Sequence, residues 1–323
     1  MKKIFLFFCF SVYLFAEATI FVYHRFGDER PHLSSTNTPL DELRSNFEYF
    51  EKNGYEVVPL SKLVDALKNG DPIEDNWVVL TIDDSYLTFY ENGLEIFKEY
   101  AYHFTLFVQS ETLLWQNSRE YMNKDMVLEA AKYGDIECHS HKHDFLPTKD
   151  KEYIKADTQK CIDIFEDLLD ITPRYYTYPY GSYNDEVKQI IKGFGFEAIL
   201  NQSNGNVNEK SDRFNLFRVA LVGNIDNFAP RLAWNYLDAT WDPIYYPKDG
   251  VLQTVSLEVE DGVDLVQLFV SDYGWSDWIA VEDGRVTHTF DLELKRNLVR
   301  VFVKDEKNRF NSVVLTKGDI HGK

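Results

Sequence analysis

Between about residue 19 and residue 240 the chain alternates short apolar runs with longer amphipathic segments. The run "WVVLTIDD" at 77–84 is apolar until it ends in two carboxylates, which is typical of a strand buried on both faces of a sheet. Strands that alternate with helices pair in parallel, because each helix carries the chain back to the start of the next strand. The pattern therefore predicts an α/β fold, either a barrel or a doubly wound sheet.

Polar residues collect where the predicted strands end. The strands are predicted at 19–24, 77–84, 103–108, 135–139, 175–179, 196–200 and 217–221, and the helices at 40–54, 91–100, 124–134, 151–170 and 184–194. Asp83, Asp84, His139, His143 and Tyr180 all lie at or just past the end of a strand. Active sites of parallel α/β folds form at the carboxyl edge of the sheet, where the loops converge. We therefore expect these five residues to share one site.

The overall charge of the chain excludes one class of partner. A formal net charge of -19 and a pI near 4.8 argue against nucleic acid, because phosphates select basic surfaces. A neutral or cationic partner fits better, although many acidic surfaces serve only solubility.

Residues 1–18 have the layout of a secretory signal peptide. Two lysines precede an apolar run of about a dozen residues, and Ala16 and Ala18 offer two alternative cleavage sites. The run is short for a membrane span, and Cys9 lacks the small residues that precede a lipid-anchored cysteine. We expect an exported protein, periplasmic or secreted, with no stable membrane anchor.

Removal of the signal peptide leaves two cysteines, Cys138 and Cys161. In an oxidising compartment they can form a disulfide. The alternative, which we expect, is that both remain small, buried, apolar thiols.

After about residue 240 the pattern changes from alternating helices and strands to strands alone. Pro243, Pro247 and Gly250 mark a linker, and the sequence beyond them alternates apolar and polar residues with "EDG" turn signals. We expect a first domain over 19–242 and a small antiparallel β-sandwich of the immunoglobulin-like kind over 248–323.

Asp83 and Asp84 are adjacent carboxylates at a strand end. Because side chains alternate along a strand, one carboxylate can bind a metal while the other stays free to accept a proton. Surface pairs of aspartates are common and usually solvated, so this pair alone does not establish catalysis.

His139 and His143 are four residues apart in "HSHKH", a spacing that puts both rings on one side of a helical turn. Two imidazoles and one carboxylate, with positions left open, are the usual construction of a catalytic divalent-metal site. A metal there would polarise a substrate carbonyl and lower the pKa of water from about 16 towards about 7. His141, between them, is expected to be exposed or to support the site rather than to bind the metal.

Three motifs resemble those of one family. "TIDDSY", "HSHKH" and "YTYPYGSYNDEV" are similar to the first three motifs of the polysaccharide deacetylases with NodB homology, carbohydrate esterase family four, in the family's order and about 55 and 40 residues apart. The resemblance covers roughly residues 19–240. It implies a distorted (β/α)7 barrel and a metal-dependent hydrolysis of N-acetyl groups on a glycan.

The resemblance also implies roles for individual residues. Asp84, His139 and His143 would bind the metal, commonly Zn²⁺, with Co²⁺ or Ni²⁺ as alternatives, and Asp83 would be the general base. Tyr180 would contribute a backbone N–H that stabilises the oxyanion. Pro179 and Gly181 would fix the loop that carries Tyr180.

The chain departs from the family pattern at several positions. Ser85 replaces the usual glycine after the aspartate pair, and a φ above zero would strain it modestly. Thr177 replaces an arginine, which makes "TYPYG" similar to the branch that acts on poly-N-acetylglucosamine. The late Leu-x-His motif that supplies a general acid has no counterpart in "RVALVGN".

A proton donor for the leaving amine must therefore come from elsewhere. His24 in "FVYHRFGD" ends the first predicted strand, and similar openings occur in circularly permuted poly-N-acetylglucosamine deacetylases. In a closed barrel the first and last strands are neighbours, so we predict His24 as the general acid. Arg25 and Arg218 are candidates to orient Asp83 or His24, and Arg218 also to contact substrate, with an ordinary ion pair as the alternative for each.

Aromatic residues are candidates to stack on sugar rings. Tyr86 and Trp115 are predicted to contact substrate, while core packing is at least as good an explanation for any one aromatic residue. Trp275 and Trp278 suit either carbohydrate binding or packing of the sandwich, with packing favoured, and His288 is expected to be structural. The other candidates are Tyr183, Trp234 and Trp241.

The sequence thus favours an exported, metal-dependent deacetylase of a β-linked N-acetylglucosamine polymer. The alternatives are a peptidoglycan N-acetylglucosamine deacetylase or other sugar deacylase, and a non-catalytic carbohydrate-binding protein. The expected partner is a glycan, with a further carbohydrate or protein contact through the C-terminal β domain.

Overall fold

The computed structural model describes residues 16–27, 35–115, 117–221 and 228–320. The first fifteen residues of the predicted signal peptide therefore lie outside the described residues. Among the described residues, no helix has the length and apolar character needed to cross a membrane.

A parallel sheet forms the first part of the structure. It contains eight strands in the described ranges, and seven of them lie side by side in the order β10-β1-β5-β6-β7-β8-β9, with β4 paired to β5. The strands are β1 (Thr19–Tyr23), β4 (Glu56–Val57), β5 (Trp77–Asp83), β6 (Thr105–Val108), β7 (Asp135–Cys138), β8 (Tyr175–Thr177), β9 (Ala198–Leu200) and β10 (Val219–Ala220). Two further short strands, β2 (Arg25–Phe26) and β3 (Asn37–Thr38), pair in parallel beside it.

The predicted distorted barrel is confirmed, but few backbone contacts close it. The two ends of the sheet meet through a single parallel bridge between Leu200 and Leu216. The first strand lies inside the sheet, between β10 and β5, and its register pairs Tyr23 with Ile82. His24 and Asp83 are therefore the next residues on two neighbouring strands at the carboxyl edge.

Helices cover the sheet and follow the predicted order. The α-helices are α1 (Leu40–Asn53), α2 (Leu60–Asn69), α3 (Leu94–Glu99), α4 (Lys124–Ala130), α5 (Lys151–Ile164) and α6 (Asp185–Lys192). Gly54 ends α1 in the left-handed region, at a φ of 73°, as expected for a helix C-cap. The second helix, which follows Pro59, was not predicted. Short π-helical turns at Phe89–Gly93 and Phe165–Leu169 adjoin α3 and α5.

Apolar side chains fill both sides of the sheet. Every residue of β5 is buried, as its uninterrupted apolar sequence predicts. On one side an aromatic cluster packs edge to face between the sheet, α1 and α3, with ring centroids of Phe47 and Phe97 5.0 Å apart. This packing fixes the strand ends that carry the polar residues.

The C-terminal strands form two antiparallel sheets around their own apolar core. One sheet has the order β11-β19-β18-β14-β15 with β16 beside β14, and the other has the order β12-β13-β17. The strands are β11 (Asn235–Tyr236), β12 (Ala239–Trp241), β13 (Val251–Val259), β14 (Leu265–Val270), β15 (Gly274–Trp275), β16 (Ile279–Ala280), β17 (Arg285–Glu293), β18 (Leu298–Asp305) and β19 (Arg309–Thr316). The first two of these strands lie N-terminal to the predicted linker, within the range 19–242.

Cys138 and Cys161 form a disulfide between the end of β7 and α5, with their Cα atoms 6.5 Å apart. The expectation that both remain free thiols was therefore wrong. The two residues are 23 positions apart, and only the packing of α5 against the sheet brings them within bonding distance. The disulfide ties the strand that leads into His139 to the helix behind it.

A buried carboxyl group gives the stability of this sheet a pH dependence. Glu137 on β7 accepts hydrogen bonds from the backbone N–H groups of Arg174 and Tyr175 at 2.6 and 2.8 Å. Burial nevertheless raises the pKa of Glu137 to about 8, despite these bonds. The folded state therefore keeps a proton that the unfolded state releases above about pH 4.5, so this group lowers stability as pH rises towards 8.

We expect Glu137→Gln to remove that pH dependence, because glutamine can accept the same two bonds without a charge. Its free energy of unfolding should exceed that of the wild type by at least about 1 kcal/mol at pH 8.5, since each pKa unit is worth about 1.4 kcal/mol. The excess should shrink as pH falls towards 4.5. Urea denaturation across this pH range measures it, and a constant difference between the two proteins would contradict the prediction.

Candidate metal and catalytic site

Three predicted metal ligands converge at the carboxyl edge of the sheet. One ligand atom from each of Asp84, His139 and His143 lies within 4.8 Å of the others. Asp84 Oδ1 is 3.3 Å from His139 Nε2 and 3.1 Å from His143 Nε2. Two imidazole nitrogens and one carboxylate oxygen facing a common point are the donor set of catalytic Zn²⁺ sites.

The state of Asp84 fits a metal ligand. Its Oδ1 is buried and has no hydrogen-bond donor among the described residues. Burial opposes ionisation of Asp84, but the adjacent His143 and His139 hold its pKa well below the usual range. An anionic oxygen buried without a donor is costly unless a cation binds it.

Hydrogen bonds orient the two histidines. His139 Nδ1 donates to the carbonyl oxygen of Thr177 at 2.9 Å, which leaves Nε2 free to bind a metal. The backbone N–H of His143 donates to Ser140 Oγ at 2.9 Å and fixes the turn that returns the second ring. His141 does not join the group: its Nδ1 lies 3.0 Å from Ser110 Oγ, in agreement with a supporting role.

Asp83 belongs to a buried ion pair rather than to the ligand group. Arg218 donates to it through two parallel bonds, Nη1 to Oδ1 and Nη2 to Oδ2, both at 2.7 Å. Burial by itself raises the pKa of Asp83, but Arg218, with His139, brings it below the usual value. Asp83 is therefore ionised and held in one orientation beside the metal ligands, with Oδ2 3.9 Å from His139 Nε2.

Arg218 was predicted either to orient a catalytic residue or to contact substrate, and the structure agrees with the first role. Both it and Asp83 are fully buried, so Arg218 orients Asp83 and does not reach a substrate. Arg25 does neither, because it pairs with Glu120 at 2.5 Å and lies over the Tyr86 ring, 3.4 Å from its centre.

His24 lines the same cavity as Asp84, His143 and Tyr180, a cleft of about 520 Å³. Its Nδ1 is buried without a hydrogen-bond partner in the described ranges. Burial lowers the pKa of His24, although the carboxylates of Asp84 and Asp83 act in the opposite direction. An imidazolium with a lowered pKa gives up its proton more readily than an ordinary one.

The Tyr180 loop closes one side of the cavity. Tyr180 has a φ of 60°, and its ring stacks on Phe145 with centroids 4.1 Å apart. Gly181 is required beside it, because a Cβ there would lie 2.7 Å from the backbone nitrogen of Gln202. Pro179 and Gly181 thus shape the loop, and the Tyr180 N–H has no acceptor among the described residues.

Strained backbone marks this site. Asp84, Ser85 and His143 have φ values of 73°, 53° and 54°, in the left-handed region that residues with a side chain usually avoid. Ser85 therefore has the strain predicted for a residue in place of glycine. Its hydroxyl donates to the Asp84 carbonyl at 2.6 Å, and its own carbonyl accepts from Met122 N at 2.9 Å.

The other departures from the family pattern also have structural explanations. Thr177, which stands where an arginine is usual, positions His139 through its carbonyl and through Oγ1, 2.5 Å from Nδ1. The buried guanidinium beside Asp83 comes instead from Arg218, on the segment that enters β10.

Of the predicted aromatic contacts, Tyr86 and Trp234 line the cavity. Trp115 is 39% exposed and packs on Tyr121, another lining residue, at 5.3 Å between ring centroids, so it lies at the rim. Tyr183 and Trp241 lie elsewhere, in a cleft of about 410 Å³ between the barrel and the β domain. The remaining tryptophans, Trp275 and Trp278, are 40% and 46% exposed.

Two of the cavity residues that sequence reasoning missed are Gln202 and Arg300. Gln202 donates to Asp83 Oδ2 at 3.2 Å and lies 3.4 Å from His24 Nε2, so it bridges the two catalytic candidates. Arg300, from β18 of the C-terminal sheets, also lines the cavity. Neither position belongs to a recognisable motif, and only the packing of the two parts of the chain reveals them.

Fold and site together are typical of hydrolases of the parallel α/β class: three residues that could hold a metal lie beside an oriented carboxylate at the carboxyl edge of the sheet. Comparison with known proteins specifies the family. Residues 70–199 match the family model described as polysaccharide deacetylase. This match over residues 70–199 agrees with the family that the three motifs predict.

Curated relatives are distant and cover about three fifths of the chain. A putative polysaccharide deacetylase, YxkH, of Bacillus subtilis is 21% identical over 208 residues, which are 63% of this chain and 71% of the relative. The poly-β-1,6-N-acetyl-D-glucosamine N-deacetylase of Escherichia coli K12 is 21% identical over 244 residues. That match spans 62% of this chain and 36% of the length of the E. coli protein.

Solved structures agree on the fold. A Streptococcus pyogenes deacetylase, PplD, in complex with acetate superposes with a TM-score of 0.60 at 20% identity and covers 65% of this chain and 94% of its own. IcaB from Ammonifex degensii gives a TM-score of 0.59 at 20% identity, with 68% and 97% covered. The similarity therefore extends over the barrel.

We expect His143→Ala to abolish tight binding of a divalent metal, because it removes one of three ligands. His141→Ala is the matched control two residues away, and it should bind metal as the wild type does. Zinc titration of chelator-treated protein, with the bound metal counted by mass spectrometry, measures the difference. Equal loss of binding in both variants would show that the ligand set is wrong.

Proposed function

We propose that this protein is a metal-dependent N-deacetylase of an N-acetylglucosamine polymer. The proposal depends on one observation: a group of potential metal ligands and an oriented carboxylate lie next to each other at one cavity. Asp84, His139 and His143 form a ligand set, and the arginine-paired Asp83 lies beside it. A protein that only bound glycans would have no use for an oriented, ionised carboxylate next to such a set.

The ligand set and Asp83 would divide the work of activating water. A divalent cation, when bound, lowers the pKa of water and polarises a carbonyl group. Asp83 takes up the proton that water loses as it attacks the acetamide carbon. Arg218 keeps Asp83 ionised and aimed, so no reorientation is needed during the reaction.

Two further groups act on the acetamide. The free N–H of Tyr180 donates to the oxyanion that develops on the carbonyl, and loss of such a donor typically costs about 10²-fold in rate. His24 donates a proton to the leaving nitrogen, so the C–N bond breaks to give acetate and a free amine. Gln202 contacts both His24 and Asp83, so it fixes the position of the proton donor relative to the proton acceptor.

Three observations support a poly-N-acetylglucosamine substrate. The E. coli relative is described as a deacetylase of the β-1,6-linked polymer, and its match covers 62% of this chain. His24, which directly follows the first strand, lines the cavity and is the proton donor that the resemblance to the permuted branch implies. Aromatic rings at the cavity, Tyr86 and Trp234, offer faces on which pyranose rings can stack.

We further propose that the protein is exported. A disulfide between Cys138 and Cys161 is stable in an oxidising compartment and is rarely kept in the cytosol. This agrees with the signal-like sequence at residues 1–18.

We expect His24→Asn and Asp83→Asn each to lower kcat for acetate release by about 10²-fold or more, the usual contribution of a general acid or base. The assay compares β-1,6- and β-1,4-linked N-acetylglucosamine oligomers, with metal and with chelator. His141→Asn is the control, because it changes a buried histidine outside the ligand set. Wild-type rates in the His24 variant would rule out its role, and no release from any glycan would rule out the enzyme.

Cleavage of the signal peptide is expected after Ala16 rather than after Ala18. Ala18 is fully buried and pairs with Val207 through backbone bonds of 2.8 Å, and Glu17 accepts a bond from Tyr236 N at 2.8 Å. Cleavage after Ala18 would remove these contacts. N-terminal sequencing of protein from the periplasm or the medium should begin at Glu17, and a start at Thr19 would contradict this prediction.

A further inference from the structure

The C-terminal β domain supplies a cation to the catalytic cavity. Arg300 on β18 lines the cleft together with Asp84, His143 and Tyr180, although it is about 120 residues beyond the Tyr180 loop. Its Nη2 makes two long contacts, each 3.4 Å, to the carbonyl oxygen of Tyr180 and to Gln202 Oε1. The β domain therefore contributes a guanidinium group to the wall of this cavity.

Among the residues that the structure describes, Arg300 has no acidic partner. Within the described ranges no carboxylate lies within ion-pair distance of it, and neither Nε nor Nη1 has a hydrogen-bond acceptor. Burial accordingly lowers the pKa of Arg300, with no nearby negative charge to oppose the effect. The Arg300 side chain is half-buried, and its unused donors are accessible to an acceptor that enters the cavity.

The remaining charges in the cavity do not neutralise it. Asp84 is the one carboxylate among the described lining residues, and it faces His139 and His143. A second arginine, Arg231, lines the same cleft. The described lining residues thus include two guanidinium groups and one carboxylate, in contrast to the net charge of -19 for the whole chain, and Glu42 is the one carboxylate that acts on Arg231.

We propose that Arg300 binds an anionic oxygen group, a carboxylate or a phosphodiester, on the glycan next to the N-acetylglucosamine unit that reacts. The planar guanidinium presents paired N–H donors that match two oxygens of such a group. The proposal rests on the proposed deacetylase function, and it specifies that the glycan substrate carries acidic groups. Arg300 is then a specificity-determining residue, and the β domain is part of the active site.

Direct binding tests this assignment without relying on turnover. Titration calorimetry of the metal-loaded protein compares three ligands: a neutral N-acetylglucosamine trimer, a tetrasaccharide alternating N-acetylglucosamine with glucuronic acid, and an N-acetylglucosamine methyl phosphodiester. We expect the wild type to bind at least one anionic ligand about tenfold more tightly than the neutral trimer, and the preferred ligand identifies the anion. Arg300→Gln should lose this preference while binding the neutral trimer equally well.

Two further variants separate recognition from structure. Arg300→Lys keeps the charge without the fork of donors, so it should retain part of the preference. Arg296→Gln changes an exposed arginine that pairs with Asp272 near the same strand, and it should match the wild type. Equal affinity of the wild type for neutral and anionic ligands, or an unchanged preference in Arg300→Gln, would overturn the proposal. Acetate release from the neutral trimer reports separately on the deacetylase function.

Discussion

The buried pair between Arg218 and Asp83 is the interaction on which the rest of the site depends. A carboxylate removed from water is favourable only if its charge is compensated and its lone pairs are satisfied. Arg218 does both through two bonds of 2.7 Å, and its Nε donates to the Asn201 carbonyl at 2.7 Å. Because Arg218 enters from the last strand of the sheet and Asp83 ends β5, the pair also joins the barrel across β1. The strand between them leads into His24, so the ion pair and the candidate proton donor are positioned by the same packing.

Strained backbone conformations and the disulfide both lie at the carboxyl edge of the parallel sheet. Asp84, His143 and Tyr180 all have left-handed backbone, which costs of order 1–3 kcal/mol per residue and persists only when the surroundings enforce it. Hydrogen bonds within the loops and the Cys138–Cys161 bond, one residue before His139, supply that enforcement. A rigid edge suits chemistry that needs fixed donors, since preorganised groups lose no energy to reorientation.

Local sequence signals were sufficient to predict a parallel α/β fold and the gathering of Asp83, Asp84, His139 and His143 at one edge of the sheet, whereas the choice of a barrel came from the resemblance to the family. The uninterrupted apolar run of β5 and the position of His139 and His143 after β7 depend on period and chain order, which the sequence displays directly. Three features depended on distant contacts instead: the pairing of Arg218 with Asp83, the disulfide, and the intrusion of Arg300. Each joins segments at least 23 residues apart, and side-chain type does not reveal which distant partner is chosen. The disulfide shows the limit most clearly, because a buried cysteine has the same apolar surroundings whether or not it is bonded.

The position of Arg300 changes what the C-terminal sheets contribute. Sequence patterns describe them as an appended sandwich, but β11 and β12 begin before the proline-rich linker and pair with β19 and β13. The contact continues through Ser182 and Thr316, whose hydroxyl oxygens are 2.5 Å apart, directly behind the Tyr180 loop. Because both the first and the last strands of the C-terminal sheets are fixed in this way, Arg300 is held in the cavity by a rigid part of the structure. The boundary between the two parts of the chain therefore runs through the candidate active site, and residues of both parts determine the charge of that cavity.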